Sequence, residues 1–281
     1  MTTSPPASPA PDESPGTVAA EQVIGALRAA GCVFAEDEAT LLIDNADSAG
    51  HLAAMVRRRV GGEPLEYVLG WTEFCDLRIA VRPGVFVPRQ RTALMVSEAL
   101  RLDRADRRRS GRQGTVVLDL CCGAGAVGAA LAARLPRCEV YAADIDPIAV
   151  ACATQNLPCD AGTFVGDLYA PLPAALRGRV DLLVANAPYV PTDALEFMPP
   201  EARLHEPAAA LDGGQNGLHI VKRVITDAPQ WLSSGGHVLV ESGADQAPAV
   251  AGLAADSGLH PRVATSDELG ATVVIGTLPA R

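Results

Sequence analysis

The chain lacks any apolar run approaching the roughly 20 residues that a membrane-spanning helix needs, so no segment reads as a membrane anchor. It lacks the marks of a secretory leader as well. The opening stretch MTTSPPASPAPDESPGT has no basic start and no apolar centre. Its Pro, Ser and Ala content predicts a disordered tail over residues 1–17. Basic charge is not in excess: the formal net charge is −10. Proteins that wrap nucleic acid present a basic face, because phosphate contacts drive that binding. The acidity therefore argues against a nucleic acid partner, though it leaves room for a local patch.

Paired cysteines are missing too. Cys32, Cys75, Cys121, Cys122, Cys138, Cys152 and Cys159 are odd in number and contain no Cys-x-x-Cys. That spacing suits neither a zinc site nor a disulfide framework, and no metal is expected. The thiols read as reduced, small buried hydrophobes of a cytoplasmic protein. His205 sits in RLHEP, which is not a zinc-binding His-Glu-x-x-His, and His51 and His237 read as surface or packing residues. Internal repeats are absent.

What remains is ample material for a core. With 48% hydrophobic and 20% charged residues, the 281-residue chain suits one large α/β domain with a small partner. From Val18 to about Val60 the pattern is helical. VAAEQVIGALRAAG places Val23, Ile24 and Leu27 on one face and ends at Gly31, a C-cap. EDEATLLIDNA and AGHLAAMVRRRVGG predict two further helices. The period then changes: Phe74, Leu77, Ile79 and Val81 suggest strand, with a turn signal at Arg82-Pro83-Gly84. A β-hairpin linking two domains is expected over 71–89, between a helical unit at 18–70 and a larger one at 90–281.

From about residue 90 strand and helix signals alternate. TALMVSEALRL is helical, and RADRRRSGRQG is a charged, solvated loop. Short β-like runs follow at 116–120, 138–143, 163–166, 180–185, 236–241, 260–264 and 272–276. The alternation predicts a seven-stranded, mostly parallel α/β sheet covered on both faces. SDELGA is too short for a parallel crossover, so the final strand should run antiparallel.

The first of these runs and its turn read VVLDLCCGAGAVGAAL. Gly123, Gly125 and Gly128 form Gly-x-Gly-x-x-Gly between strand and helix, and Asp144 lies 21 residues beyond Gly123 at the next strand end. Glycines there allow close backbone approach to a ligand, and the acid bonds ribose hydroxyls. Glycine-rich turns also recur for purely structural reasons, and the strand context favours a nucleoside-type ligand. Asp119, inside the strand end, and the extended turn Leu120-Cys121-Cys122 then distinguish the pattern. Asp-x-x-x-Gly-x-Gly resembles the first motif of class I S-adenosylmethionine-dependent methyltransferases, with Cys121 where that motif has its first glycine. The resemblance implies S-adenosyl-L-methionine held by Asp119, Cys121, Cys122, Gly123, Ala124, Gly125 and Asp144. Further on, TFVGDLYAPL places Asp167 after the third strand. It could accept from an adenine amino group with Leu168 packing on the ring, or serve as a helix N-cap or turn residue.

At the fourth strand end stand Asn186, Ala187, Pro188 and Tyr189. They resemble the Asn/Asp-Pro-Pro-Tyr motif of methyltransferases that modify planar nitrogens. An amide nitrogen is a poor nucleophile because its lone pair is delocalised. Two acceptors on its N–H bonds would turn that lone pair toward the methyl group. The Asn186 side chain, also counted with the cofactor contacts, can be one acceptor and the Ala187 carbonyl the other. Pro188 stiffens the turn, and Tyr189 offers a flat wall. Placement is then the main catalytic task.

Flanking segments extend the resemblance. GEPLEYVLGWTEFCDLRIAVRPGVFVPRQRTALMV, VYAADIDPIAVACATQN and NAPYVPTDALEFMPPEARLHEPAAALDGGQNGL are similar to the HemK/PrmC family of protein-(glutamine-N5) methyltransferases, over roughly residues 60–245. The family's Pro-Arg-Pro-Glu-Thr-Glu reads here Pro88-Arg89-Gln90-Arg91-Thr92-Ala93, without either acid. The resemblance implies a class I methyltransferase (Rossmann-like) sheet and a helical N-terminal domain that recognises substrate. It implies methyl transfer to a glutamine of a protein substrate, a peptide-chain release factor or another protein. The rival readings are an adenine-N6 methyltransferase for DNA or RNA, a nicotinamide-dependent oxidoreductase, and a non-catalytic binding module.

Overall fold

The computed structural model describes residues 15–111 and 113–280. The tail expected over 1–17 lies outside the described residues up to position 14, and beyond that the chain is already helical. Two compact units divide at Leu69 and Gly70.

Among its described residues the first unit has four helices: α1 (Pro15–Ala29), α2 (Ala35–Asp44), α3 (Ala49–Val60) and α4 (Leu65–Leu69). Gly31 ends α1 as its sequence implies. Its φ of 91° lets the Gly31 and Cys32 N–H groups donate back to the Arg28 and Leu27 carbonyls at 3.0 Å, the pairing of a Schellman cap. Leu27, Leu42, Met55 and Val68 form the centre of a small core. A buried ion pair, Arg59 to Glu38 at 2.6 Å, ties α3 to α2. The short α4, which begins after Pro64, was not marked by periodicity because so few residues carry none.

The second unit opens with a hairpin, β1 (Trp71–Phe74) and β2 (Leu77–Ala80). Its reversal is at Cys75-Asp76, whose φ values of 49° and 59° suit a two-residue hairpin turn. The signal at Arg82-Pro83-Gly84 falls after the second strand instead: beyond the Trp71 and Ala80 pair one more bond crosses, from the Val81 N–H to the Gly70 carbonyl at 2.9 Å, and the turn follows with the Val85 N–H on the Arg82 carbonyl at 3.0 Å. The hairpin is fastened to the sheet unit: the Ala80 N–H donates to Asn156 Oδ1 at 2.8 Å, and Asn156 Nδ2 donates to the Ala80 carbonyl at 2.9 Å.

Next come α5 (Ala93–Ser110), β3 (Thr115–Leu120), α6 (Ala126–Arg134), β4 (Cys138–Asp144), α7 (Pro147–Asn156), β5 (Gly162–Val165) and β6 (Val180–Ala185). The chain continues through α8 (Pro200–His205), α9 (His219–Asp227), β7 (Leu232–Glu241), α10 (Ala247–Asp256), β8 (His260–Ser266) and β9 (Ala271–Thr277). The seven strands of this sheet lie in the order β5-β4-β3-β6-β7-β9-β8. All neighbours are parallel except β9, which runs antiparallel to both β7 and β8. This is the class I methyltransferase sheet. β3 and β6, buried at every position, read as continuous apolar runs because helices cover both faces. Val117 packs with α5, α6 and α7 on one face; Val116, Leu118 and Leu120 pack with α9 and α10 on the other. Chain order reverses at β3, which pairs with β4 on one side and β6 on the other. Ligands of such sheets bind outside the carboxyl ends at that switch point.

Candidate active site

A cavity of about 400 Å³ lies at this switch point, within the range of small-ligand sites. Each parallel strand on that side sends its following turn into the wall. β3 contributes Asp119 and Cys121 to Ala124, β4 contributes Asp144 to Asp146, β5 leads to Asp167 and Leu168, and β6 leads to Asn186 and Pro188.

Asp119 is 2% exposed, and its Oδ2 accepts the Gly128 N–H in the first turn of α6 at 2.8 Å. Burial pushes its carboxyl up to about 7; the Gly128 bond works against that and the neighbouring Asp144 charge adds to it. Gly128 is a glycine because a Cβ there would stand 3.1 Å from Asp119 Oδ2. Gly125 (φ 75°) faces α7, where a Cβ would meet Ala153 Cβ at 3.0 Å. Thus two of the three fingerprint glycines serve packing. Only Gly123 looks into open space, with nothing within 4 Å of a built Cβ. Cys121, in place of the motif's first glycine, takes φ 54° and carries a side chain in left-handed backbone.

Asp144 ties the turn down. Its Oδ2 accepts the Gly123 N–H at 2.9 Å and its Oδ1 the Asp146 N–H at 3.0 Å. Burial raises its carboxyl above the ordinary value. Asp167 opens a turn, its carbonyl accepting the Ala170 N–H at 3.0 Å, and is not a helix N-cap; its Oδ2 pairs with Arg223 of α9 at 2.6 Å, and both side chains are partly exposed. Leu168 beside it is buried in the wall.

Asn186 faces the cavity, its Nδ2 3.5 Å from Thr92 Oγ1. Three expected residues do not line the cavity: Gly125, Ala187 and Tyr189. The Ala187 side chain is buried in the core shared with α9. The Tyr189 hydroxyl donates to Glu241 Oε1 at 3.0 Å, and its carbonyl accepts Gln246 Nε2 at 3.0 Å. The close approach of Gly217 to that carbonyl would leave a Cβ only 2.2 Å away, which accounts for the glycine there.

Sequence reasoning missed Thr92, Glu241, Phe86, Ile145 and the run Pro207 to Ala210. Glu241 was legible in principle, since it is the polar residue at the carboxyl end of β7, where Asp144 ends β4. Thr92 stands inside the Pro-Arg segment already singled out. Ile145 and Ala208 to Ala210 carry no chemistry and so no signal.

Residues 77–212 match the methyltransferase small domain. A release factor glutamine methyltransferase of Geobacter sulfurreducens is 38% identical over 225 residues, covering 79% of this chain and 75% of that protein. One from Moorella thermoacetica is 39% identical, covering 76% and 74%. One from Bordetella pertussis is 35% identical, covering 81% and 84%.

Proposed function

We propose a reaction on the premise that this chain belongs to the family of release factor glutamine methyltransferases. It is a methyltransferase, and the reaction is transfer of a methyl group from S-adenosyl-L-methionine to the side-chain amide nitrogen of a glutamine in a protein substrate. A peptide-chain release factor is the substrate the relatives favour, and a cytoplasmic location is the one that goes with that substrate. The adenine-N6 reading gains nothing from these relatives.

The cavity fits the cofactor by its donor set. Two acceptor groups, the buried Asp119 and the part-buried Asp144, suit a ligand that carries an ammonium and hydroxyls, and the open face of Gly123 lets the turn backbone come close. When bound, the cofactor supplies a methyl group made electrophilic by its sulfonium. The protein's task is then to hold the nucleophile. Among the described residues, neither Asn186 Oδ1 nor the Ala187 carbonyl accepts a hydrogen bond; Asn186 faces the cavity, and the Ala187 carbonyl is assigned as the second acceptor although its residue is 1% exposed and off the cavity wall. Two acceptors on the two N–H bonds direct the nitrogen lone pair away from its carbonyl conjugation. The new N–C bond would form as the methyl–sulfur bond breaks and leaves a neutral thioether, and the nitrogen would release one N–H proton to solvent, with no strong base needed beforehand.

The observation that carries this reading is Asn186 at the end of β6, in the same cavity wall as the two carboxyl groups. The helical unit up to Leu69 is assigned to holding the substrate protein, and exposed Val33 and Phe34 are apolar side chains it offers. Incubation of the protein with methyl-labelled cofactor and a recombinant release factor tests the reaction. Label should appear on a glutamine, and Asn186→Ala should lose about 100-fold in rate while still binding cofactor. Normal turnover by that variant, or no label on the release factor, overturns it.

A further inference from the structure

Glu241 ends β7, is 1% exposed, and is absent from the cavity wall. Three donors nonetheless converge on it. Thr92 Oγ1 donates to its Oε2 at 2.7 Å; the Tyr189 hydroxyl and Arg91 Nε reach its Oε1 at 3.0 and 3.1 Å. Thr92 does line the cavity, and its hydroxyl oxygen faces Asn186 Nδ2 at 3.5 Å.

The proton inventory fixes the direction of this chain. A carboxylate only accepts, and a threonine hydroxyl has one proton to give. Thr92 gives that proton to Glu241. Toward Asn186 it can therefore act only as an acceptor, so the amide must turn its NH₂ end to Thr92. Its Oδ1 end is left for the cavity. Shape cannot make this choice, because the two ends of a carboxamide are nearly alike in size. The 3.5 Å contact is long for a hydrogen bond, and such contacts in ligand-free sites tighten when substrate arrives.

We infer that Glu241 and Thr92 are positioning residues that present the oxygen of Asn186, not its amino group, to the substrate amide. This deepens the glutamine reading and rests on it. With the amide reversed, Asn186 would meet the substrate N–H with another N–H, and one of the two acceptors would be lost. The same arrangement accounts for Tyr189, whose hydroxyl serves Glu241 while its ring stays out of the cavity wall. It also gives Arg91 a role: a guanidinium only donates, so it keeps an oxygen of residue 241 turned toward itself.

Three substitutions separate this from a merely structural role. In Glu241→Gln, Arg91 holds the carboxamide oxygen, and the new NH₂ faces Thr92. The threonine proton is then free to bond Asn186 Oδ1, which turns the amide round. Thr92→Val keeps the shape and removes the relay. Thr92→Ser keeps the hydroxyl. The proteins are assayed with recombinant release factor, and cofactor affinity is measured by calorimetry. The Asn186 side-chain ¹⁵N resonance, identified by its loss in Asn186→Asp, is followed alongside.

Glu241→Gln and Thr92→Val should lose about 100-fold in kcat, comparable to removal of one preorganised polar group, with cofactor affinity unchanged. Thr92→Ser should keep wild-type kcat. The Asn186 resonance should move in the first two variants and stay in the third. Wild-type kcat in Thr92→Val, or equal impairment in Thr92→Ser, overturns the relay. If the wild-type protein transfers no methyl group to the release factor, the glutamine reading fails instead, and the Asn186 resonance still decides whether the relay sets that amide.

Discussion

Arg89 and Glu206, 117 positions apart in the chain, meet at 2.6 Å at the edge of the cavity. Glu206 is buried, and its Oε1 also accepts the Val87 N–H at 3.2 Å. The pair joins two irregular segments that no ladder of the sheet holds together. The segment before α5 gives Phe86 and Pro88 to the cavity wall, and the segment after α8 gives Pro207 to Ala210. One carboxylate therefore bridges the two segments that supply these wall residues.

Removal of that carboxylate should be felt twice. In Glu206→Ala the Val87 N–H and the Arg89 guanidinium lose their acceptor in a largely dry place. A buried donor left unsatisfied costs about 1–3 kcal/mol. The Arg89 side chain is 33% exposed, so water recovers part of its share and the lower half of that range is expected. Urea melts should show the loss, and cofactor affinity should fall with it because the walls separate. A variant with wild-type melting midpoint and affinity would show that the two segments hold their places without the pair.

Cys121 makes a separate prediction. Its φ of 54° costs a residue with a side chain about 1–2 kcal/mol. Cys121→Gly removes that strain but gives up the contacts the side chain makes with the core beside it. The two effects oppose each other, so stability should change by less than about 1 kcal/mol. Cys121→Val keeps a side chain and adds a branch at Cβ, which left-handed backbone resists most. It should be the less stable variant and bind cofactor more weakly, since the strained turn is the one that faces the ligand. Equal melting midpoints for Gly and Val at this position would mean the conformation carries no strain.

The buried Asp119 predicts a pH dependence with a definite sign. Its carboxyl is raised from 3.8 to about 7 in the folded protein. Between those values the folded state holds a proton that the unfolded chain has released. Its contribution to stability is fully present below the lower value and is lost as pH rises through the upper one. Asp144, raised by burial as well, adds to the same trend. Asp119→Asn should flatten this slope in denaturant melts of the ligand-free protein. Cofactor binding should behave in the opposite sense and strengthen as pH rises through about 7, because an ammonium favours the ionised carboxylate. An unchanged slope in the Asn variant would remove Asp119 as its source.

The sheet was legible because its signals are local. β3, β4, β6 and the turns after them announce themselves through apolar runs ending in Asp119, Asp144 and Asn186, and the short SDELGA link implied the antiparallel β9. The hairpin reversal at Cys75-Asp76 was hidden because Cys75 is not a usual hairpin-turn residue and no glycine accompanies Asp76; their dihedrals reveal it. At the site, residue type marked the carboxyl groups but not their partners. Thr92 and Glu241 are 149 positions apart, and no spacing rule connects them. The fingerprint glycines illustrate the same limit. Gly123, Gly125 and Gly128 look alike in sequence, yet a Cβ would meet open space at the first, in the cavity wall, and packed neighbours at the other two.

Asp167 carries two readings from the sequence, an acceptor for an adenine amino group and a helix N-cap or turn residue; the turn is present, with its carbonyl accepting the Ala170 N–H at 3.0 Å, and a binding experiment decides the other. In the fold its Oδ2 pairs with Arg223, while Oδ1 accepts no hydrogen bond among the described residues. An exposed pair of this kind contributes about 0–1 kcal/mol, so Arg223→Ala should leave the melting midpoint unchanged. If Oδ1 meets the adenine, Asp167→Ala should weaken cofactor affinity about tenfold, the worth of a hydrogen bond to a charged acceptor. Arg223→Ala should weaken it less, since the carboxylate stays and only its restraint is gone. A cofactor analogue without the adenine amino group provides the control: it should bind wild type and Asp167→Ala equally. Full affinity for the natural cofactor in Asp167→Ala would leave the residue as the surface partner of Arg223 and nothing more.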